Sequence, residues 1–290
     1  MSRICIGTAN FGLAYGINNF SGKITSLELD EIFKVCNKYD IVNFDTASSY
    51  GDAEHRLGTK INKSDIITTK ISALQILDLN SDGIPKAFSE SLAQLRLSRV
   101  ANLLVHDGHR INLKQYKEIQ VVCEKLKDKC IIEKWGLSLY SPVLLGELWP
   151  HSLPDLVQIP VNIFDQRFEK LGWAEKLSSS NVEMYGRSIF LQGLLVANPK
   201  SLPNAIYQKC RTEFNEWQSI CTEFNVSPQS LAFSYALSRE WLSKIVVGVD
   251  TSVQLEELAK LEKKPLEIPD TIRKLSIENE DVILPFRWNL

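Results

Sequence analysis

The chain has no apolar stretch approaching the roughly 18–20 residues that a membrane-spanning helix requires. Its opening, MSRICIGTANFG, has neither the charged start nor the apolar run of a secretory signal. A membrane protein and a secreted protein are therefore not expected. Nor is there an excess of basic residues: 33 lysines and arginines stand against 35 acidic residues, for a formal net charge of −2. Without a cationic surface, a nucleic acid or other polyanion is not an expected partner. The six cysteines, at positions 5, 36, 123, 130, 210 and 221, never form a CxxC pair, so neither a zinc knuckle nor a disulfide framework is expected. Scattered thiols of this kind fit a reducing, cytoplasmic setting, in which the sequons at Asn62 and Asn225 have no consequence. The dinucleotide fingerprint GxGxxG is also missing. GTANFGLAYG (7–16) follows the first strand, but its glycines are wrongly spaced.

What is present is ordinary globular material: 290 residues, 44% hydrophobic and 23% charged, enough to bury a large core. Short β-like runs alternate with longer helical patterns. Strands are expected at 3–7, 41–45, 66–71, 100–106, 131–138, 156–160, 182–188 and 244–249. Helices are expected at 26–38, opened by Ser26 and carrying Leu27, Ile32, Val35 and Cys36 on its apolar stripe, and at 82–97, opened by Asp82 with Pro85 in its first turn. Further helices are expected at 112–126, 206–224, 228–241 after Ser227-Pro228, and 252–261. Eight β units, each followed by helix, in about 250 residues imply a (β/α)₈ TIM barrel. An open doubly wound sheet is the alternative, disfavoured by the missing fingerprint. A single domain over 1–290 is expected, with 262–290 as a C-terminal tail outside the repeat.

In such a barrel the C-terminal strand ends share one face. Asp45, Lys70 and His106 close three successive strands and would converge there, with Tyr50 on the loop after Asp45. Each residue alone has a structural explanation: a turn aspartate, a packing tyrosine, a solvated lysine, a core histidine. Their joint placement points to proton transfer. A phenol has an ordinary pKa of about 10, and a nearby ammonium is expected to lower it and ease proton donation. The aspartate would hold the lysine charged, and the histidine would polarise the same carbonyl oxygen. The hydride that completes a reduction has to come from a nicotinamide cofactor.

These residues resemble the aldo-keto reductase family. FDTASSYGDAEHRLG (44–58) is similar to its signature, and IGTANFG at the start, TK on the third strand and VHD on the fourth also fit. The resemblance runs from IGTANFG to VVGVDTSVQLEEL (246–258). It implies metal-free, NADPH-dependent reduction of a small-molecule carbonyl substrate on a (β/α)₈ barrel. Tyr50 would be the proton donor, Lys70 and Asp45 its tuning pair, and His106 the orienting residue. Ser138 and Gln158 would hold the nicotinamide carboxamide, although Leu139 follows Ser138 where the family has asparagine. Arg187 would stand where a tyrosine commonly stacks on the nicotinamide. Gly7, Thr8, Asp45, Gly248, Asp250 and Gln254 complete the cofactor contacts that the resemblance implies.

One position departs from that pattern. Where the family brings a cation to the adenosine 2′-phosphate, this chain has Asp250, and no basic residue follows until Lys260. An aspartate there would favour a free ribose 2′-OH and hence NAD; alternatively Asp250 is the N-cap of the last helix, shared with Thr251 or Ser252. GRSIFLQGLL, the glycine-rich start and LPFRWNL (284–290) look most like a bacterial subgroup associated with sugar and cell-surface polysaccharide metabolism, so a sugar derivative is one expected substrate. Phe286, Arg287 and Trp288 would either cover the barrel mouth or clasp its side. Asn10, Phe11 and Tyr15 are further pocket candidates. A monomer or weak homo-oligomer is expected. A cofactor-binding regulatory or assembly protein on a reductase scaffold is the competing function, and an isomerase or lyase without a hydride step is a third.

Overall fold

The computed structural model of the chain describes residues 2–19, 21–73 and 83–288. Eight parallel strands close into a barrel in sequence order: β1 Ile4–Gly7, β2 Asn43–Asp45, β3 Ile66–Ser72, β4 Val100–His106, β5 Ile132–Ser138, β6 Leu156–Pro160, β7 Glu183–Arg187 and β8 Lys244–Val247. β8 pairs with β1 to complete the ring. Helices follow the strands and cover the outside, the longer ones spanning Ser26–Lys38, Gly83–Leu95, Leu113–Asp128, Arg211–Glu223, Pro228–Leu237 and Ser252–Lys263.

The strands are buried on both faces, so their alternation sorts side chains between two apolar layers rather than between core and water. Ile4, Ile6, Phe44, Ile67, Leu103, Val105, Val157, Ile159, Ile245 and Val247 point outward into the main core under the helices. Leu104, Leu156 and Tyr185 form a separate, smaller cluster inside the barrel. Register extends this inner face to the polar residues: Lys70 pairs with Leu104, Ser138 with Gln158, and Asp45 with Thr68 and Gly7. Asp45, Lys70, His106, Ser138, Gln158 and Arg187 all share the inward parity and lie at, or within two residues of, the C-terminal ends of their strands.

Several local expectations need correction. The helix at 26–38 is capped by Thr25, whose hydroxyl accepts from the Glu28 N–H at 3.2 Å; Ser26 is its first residue, not its cap. Leu27 is 80% exposed. At 100° per residue it falls opposite the buried stripe of Leu29, Ile32, Phe33 and Cys36. The expected 206–224 helix is two, Asn204–Lys209 and Arg211–Glu223, because Cys210 between them adopts φ −131°, ψ 19°. The helix after Ser227 ends at Leu237, and β2 and β8 are shorter than expected. Asp82 lies outside the described residues.

The two readings of the tail each hold for part of it. Ile272, Leu275, Ile277, Val282 and Ile283 are buried against the barrel's side, tied there by the Ile277 N–H donating to the Phe164 carbonyl and by Gln166 donating to the Ile272 carbonyl. Arg287 pairs with Glu280 and Asp281, and the Trp288 indole donates to the Val282 carbonyl. Phe286 reaches the loops after β4 and β5, where its ring stacks on His109 and meets Tyr140 edge-on at 4.7 Å.

The inner face also explains Gly136. A Cβ there would sit 1.9 Å from the Leu156 carbonyl oxygen and 2.9 Å from a Leu104 methyl, an overlap that only strand displacement relieves. Gly136→Ala is expected to lower stability by about 1–3 kcal/mol in urea denaturation; an unchanged midpoint would contradict this packing.

Candidate active site

The centre of the mouth is an ion pair. Lys70 is fully buried and its ammonium lies 2.5 Å from Asp45 Oδ2. The same ammonium donates to the Thr46 carbonyl at 2.9 Å, and Asp45 Oδ1 accepts from Gln158 Nε2 at 2.6 Å. Two desolvated charges persist in such a place only when further hydrogen bonds support each group; here the Thr46 carbonyl and the Gln158 amide do so.

Tyr50 lies beyond this pair on a tight turn. Its N–H donates to the Ala47 carbonyl, and its own carbonyl accepts from Ala53. Gly51 at φ +58° makes the bend possible, and Gly12 packs so close that a Cβ would lie 1.9 Å from the Tyr50 carbonyl. The first βα loop thus fixes the tyrosine, a role the sequence pattern did not reveal. Lys70 Nζ stands 5.1 Å from the centre of the Tyr50 ring, and the His106 ring meets it edge-on, 5.7 Å between centroids. Among the described residues the phenol makes no hydrogen bond.

The electrostatics differ from the sequence expectation. The Tyr50 phenol is raised, not lowered: burial acts first and Asp45 second, with Arg187 opposing them. The ammonium stands over the ring, and its charge is taken up by Asp45. His106 is lowered to about 3, by burial first and then by Lys70, Arg187 and His109. The imidazole is therefore neutral across the physiological range. Its Nδ1 lies 3.2 Å from Ser49 Oγ.

The residues expected around a cofactor divide into two groups. Ser138 is buried at the end of β5 beside Gln158, in register. Gln158 spends its amide nitrogen on Asp45, and its Oε1 accepts nothing among the described residues. A hydroxyl and a free amide oxygen at adjacent strand ends suit a carboxamide. Gly7 closes β1 and Thr8 follows it, with the Thr8 N–H donating to the Asp45 carbonyl and its hydroxyl buried without a partner among the described residues. Arg187 does not lie open: its guanidinium stacks on Tyr140 at 4.1 Å from the ring centre.

Around β8 the arrangement changes. Gly248 is exposed just past the strand. Asp250 is not the N-cap of the last helix; Thr251 is, in a capping box with Gln254. Gln254 is thereby committed, its Oε1 accepting from the N–H groups of Asp250 and Thr251. Asp250 accepts from the side chains of Asn10 and Asn19. The Ser252 N–H donates to the carboxylate of Glu28, which reaches across from the helix after β1. Of the other pocket candidates, Phe11 is a core residue with no exposure, while Tyr15 lies at the rim, 41% exposed, its hydroxyl accepting from Gln192 at 2.9 Å.

That last contact belongs to a strained loop. Ser188, Leu191 and Gln192 all have positive φ within five residues, a cost that surrounding contacts must offset. Ile17 N–H donates to the Gln192 carbonyl, and Asn18 to the Gly193 carbonyl at 2.7 Å, so the loops after β1 and β7 are laced together over the mouth. A concavity of about 230 Å³ lined by Phe224, Leu231 and Leu266 lies on the barrel's flank and takes no part in this arrangement.

A sequence model of the aldo/keto reductase family matches residues 3–274. The chain belongs to that family. It is an NAD(P)H-dependent carbonyl oxidoreductase in the general sense the family defines. Among solved structures it is similar to the holo form of aldo-keto reductase AKR11C1 from Bacillus halodurans, at 18% identity and a TM-score of 0.74, covering 97% of this chain and 95% of that one. It is also similar to MGS-M4, an aldo-keto reductase from a Medee basin deep-sea metagenome library, at 15% identity and a TM-score of 0.67, covering 95% and 91%. At these identities the likeness shows the fold. No curated protein matches the sequence. No helix among the described residues is long and apolar enough to cross a membrane.

For this reductase the state of His106 has a measurable consequence. In the native protein its pKa is about 3, against an ordinary 6.5 in the unfolded chain. The unfolded chain therefore binds the extra proton between those values. The stability this ring contributes is fully present above 6.5 and is lost as pH falls toward the native value. NMR of the His106 imidazole is expected to report a neutral ring from about pH 8 down to about pH 5; a midpoint near the ordinary value would refute the burial argument.

Proposed function

We propose that this reductase acts on an aldehyde or ketone with Tyr50 as proton donor, Lys70 and Asp45 as the charge pair beneath it, and His106 as the group that orients the carbonyl. The reading is carried by one observation: a buried ammonium–carboxylate pair lies against the face of a phenol whose edge partner is a neutral imidazole. A nicotinamide held near Ser138 and Gln158 would supply the hydride to the carbonyl carbon. Everything else falls to the side chains. The phenol, raised above its ordinary value, is fully protonated at neutral pH and has a proton to give to the carbonyl oxygen. With Ser49 donating to His106 Nδ1, the neutral ring carries its own hydrogen on Nε2 and can donate that to the same oxygen. As the proton leaves Tyr50, the phenolate forms beside Lys70, whose ammonium offsets part of the developing charge.

The residues after β8 do not suit a 2′-phosphate. Helix N-termini attract phosphate through free N–H groups, but here those of Asp250, Thr251 and Ser252 are taken by Gln254 and Glu28. Two carboxylates, Asp250 and Glu28, stand at the place, and Lys260 is engaged with Glu256. A free ribose hydroxyl donating to a carboxylate fits better, which favours NADH over NADPH.

Tyr50→Phe is expected to lower turnover by about 10²–10⁴-fold while leaving the dinucleotide dissociation constant, read by nicotinamide fluorescence, as in the parent enzyme. Undiminished turnover would remove the phenol from the mechanism. In the same titration NADH is expected to bind at least about tenfold more tightly than NADPH, with the gap narrowing in an Asp250→Asn, Glu28→Gln double variant. A clear NADPH preference would show that the two carboxylates do not face the phosphate.

A further inference from the structure

Arg187 is the unusual charge of the mouth. It closes β7 with inward parity, and its guanidinium lies flat over Tyr140. One Nη2 hydrogen goes to the Leu139 carbonyl and one Nη1 hydrogen to Ser188 Oγ, each at 3.0 Å. Nε is buried without a partner among the described residues. Among the described residues no carboxylate lies within ion-pair distance of it. Its neighbour Arg167 shows the difference. That guanidinium serves the same loop through the Tyr140 carbonyl, but Asp165 clamps it through Nε and Nη2 at 2.8 Å each, and Glu280 lies 3.8 Å away. Lys70 likewise has Asp45.

The groups that feel Arg187 are Tyr15, Tyr50, His106 and His109. None of them is an anion at neutral pH. Asp107, which Tyr50 and His109 also sense, makes no ion pair with it. A half-buried guanidinium without a counter-ion is costly. A simple structural strut would not require it to be charged. Nη1 and Nη2 each retain an N–H, and a planar fork of two donors matches a carboxylate. One uncompensated cation balances one singly charged anion, and a carboxylate offers the two coplanar oxygens that this fork matches.

We propose that Arg187 is the receptor for a carboxylate on the substrate, and that the enzyme reduces an oxo acid: an aldehyde or ketone with a carboxylate held away from the reacting carbonyl. This rests on the proposed reductase reading of the same mouth and adds the substrate's class. Tyr140 positions the guanidinium from below, and Leu139 and Ser188 fix it in plane.

The test is a binding measurement that does not depend on turnover. Benzoate, benzamide and phenyl phosphate are titrated into the wild-type NADH complex and into Arg187→Met and Arg187→Lys. Benzoate is expected to bind wild type at least about tenfold more tightly than isosteric benzamide. That preference should vanish in Arg187→Met and return in part in Arg187→Lys, whose charge is kept while the fork is lost. Matched turnover of 4-carboxybenzaldehyde against benzaldehyde should show the same ratio, expressed in KM and collapsing in Arg187→Met. Equal binding of benzoate and benzamide by wild type overturns the proposal without any variant. So does a benzoate preference that survives Arg187→Met, or a stronger response to phenyl phosphate. A weakened NADH dissociation constant in Arg187→Met with the benzoate ratio intact would assign the guanidinium to the dinucleotide instead. Loss of all turnover alongside an intact, Arg187-dependent benzoate preference would count against the Tyr50 mechanism and not against this site.

Discussion

The ion pair between Lys70 and Asp45 decides the character of everything around it. Removing two charges from water costs several kcal/mol for each ion even after relaxation, and a barrel interior built from Leu104, Leu156 and Tyr185 offers little in return. The pair is tolerated because the Thr46 carbonyl and the Gln158 amide each add a hydrogen bond to it. Once in place it reinforces what burial imposes on its neighbours. Burial first and Asp45 second raise Tyr50 and Cys5, and burial first and Lys70 second hold His106 neutral. A protonated phenol beside a neutral imidazole is thus a consequence of the pair and of desolvation, not an independent feature of either residue.

The barrel supplies the convergence. With a strand period of two, a residue's parity fixes whether it faces the helices or the axis, and parallel register carries that parity from strand to strand. Asp45, Lys70, His106, Ser138, Gln158 and Arg187 are scattered over about half the chain, yet one geometric rule brings them to one rim. The ends of β2 and β4 were legible because an apolar run stops there at a polar residue, NFD and LLVH, whereas Lys70 lies two residues before the end of β3. Closure followed from counting eight such units. The helix boundaries were less legible. Ser26 and Thr25 are equally good caps by composition, and only the backbone turn decides which hydroxyl meets the Glu28 N–H. The break at Cys210 has no proline or glycine to announce it.

At the site, legibility ended where contacts cross between loops. Tyr50, Lys70, Asp45 and His106 could be placed because a short segment and three strand ends contain them. Their electrostatics could not. The sequence put an ammonium near a phenol and suggested a lowered pKa; the coordinates put the ammonium over the ring face, with its charge answered by Asp45, and burial then dominates. Gln254 looked available and is spent on capping. Glu28 reaches the last helix from the other end of the chain, Gly12 fixes the Tyr50 turn from the first βα loop, and Tyr140 lies under Arg187. Each of these is a distant pairing through a side chain that no local pattern marks.

The two proposals for the mouth constrain each other. Arg187 is the first group in the surroundings of Tyr50 that favours its phenolate, against burial and Asp45. A carboxylate bound to that guanidinium would offset this field. The phenol would then hold its proton more firmly while substrate is bound and would release it only as negative charge builds on the carbonyl oxygen. Such an arrangement suits reduction: the proton is present at rest and moves late, toward a stronger base created by hydride arrival. The reverse reaction needs a phenolate before chemistry begins, and both the desolvated site and an occupied Arg187 oppose one. A hydroxy acid would therefore be the poorer substrate and the oxo acid the better, for the same electrostatic reason that keeps Tyr50 protonated in the free enzyme.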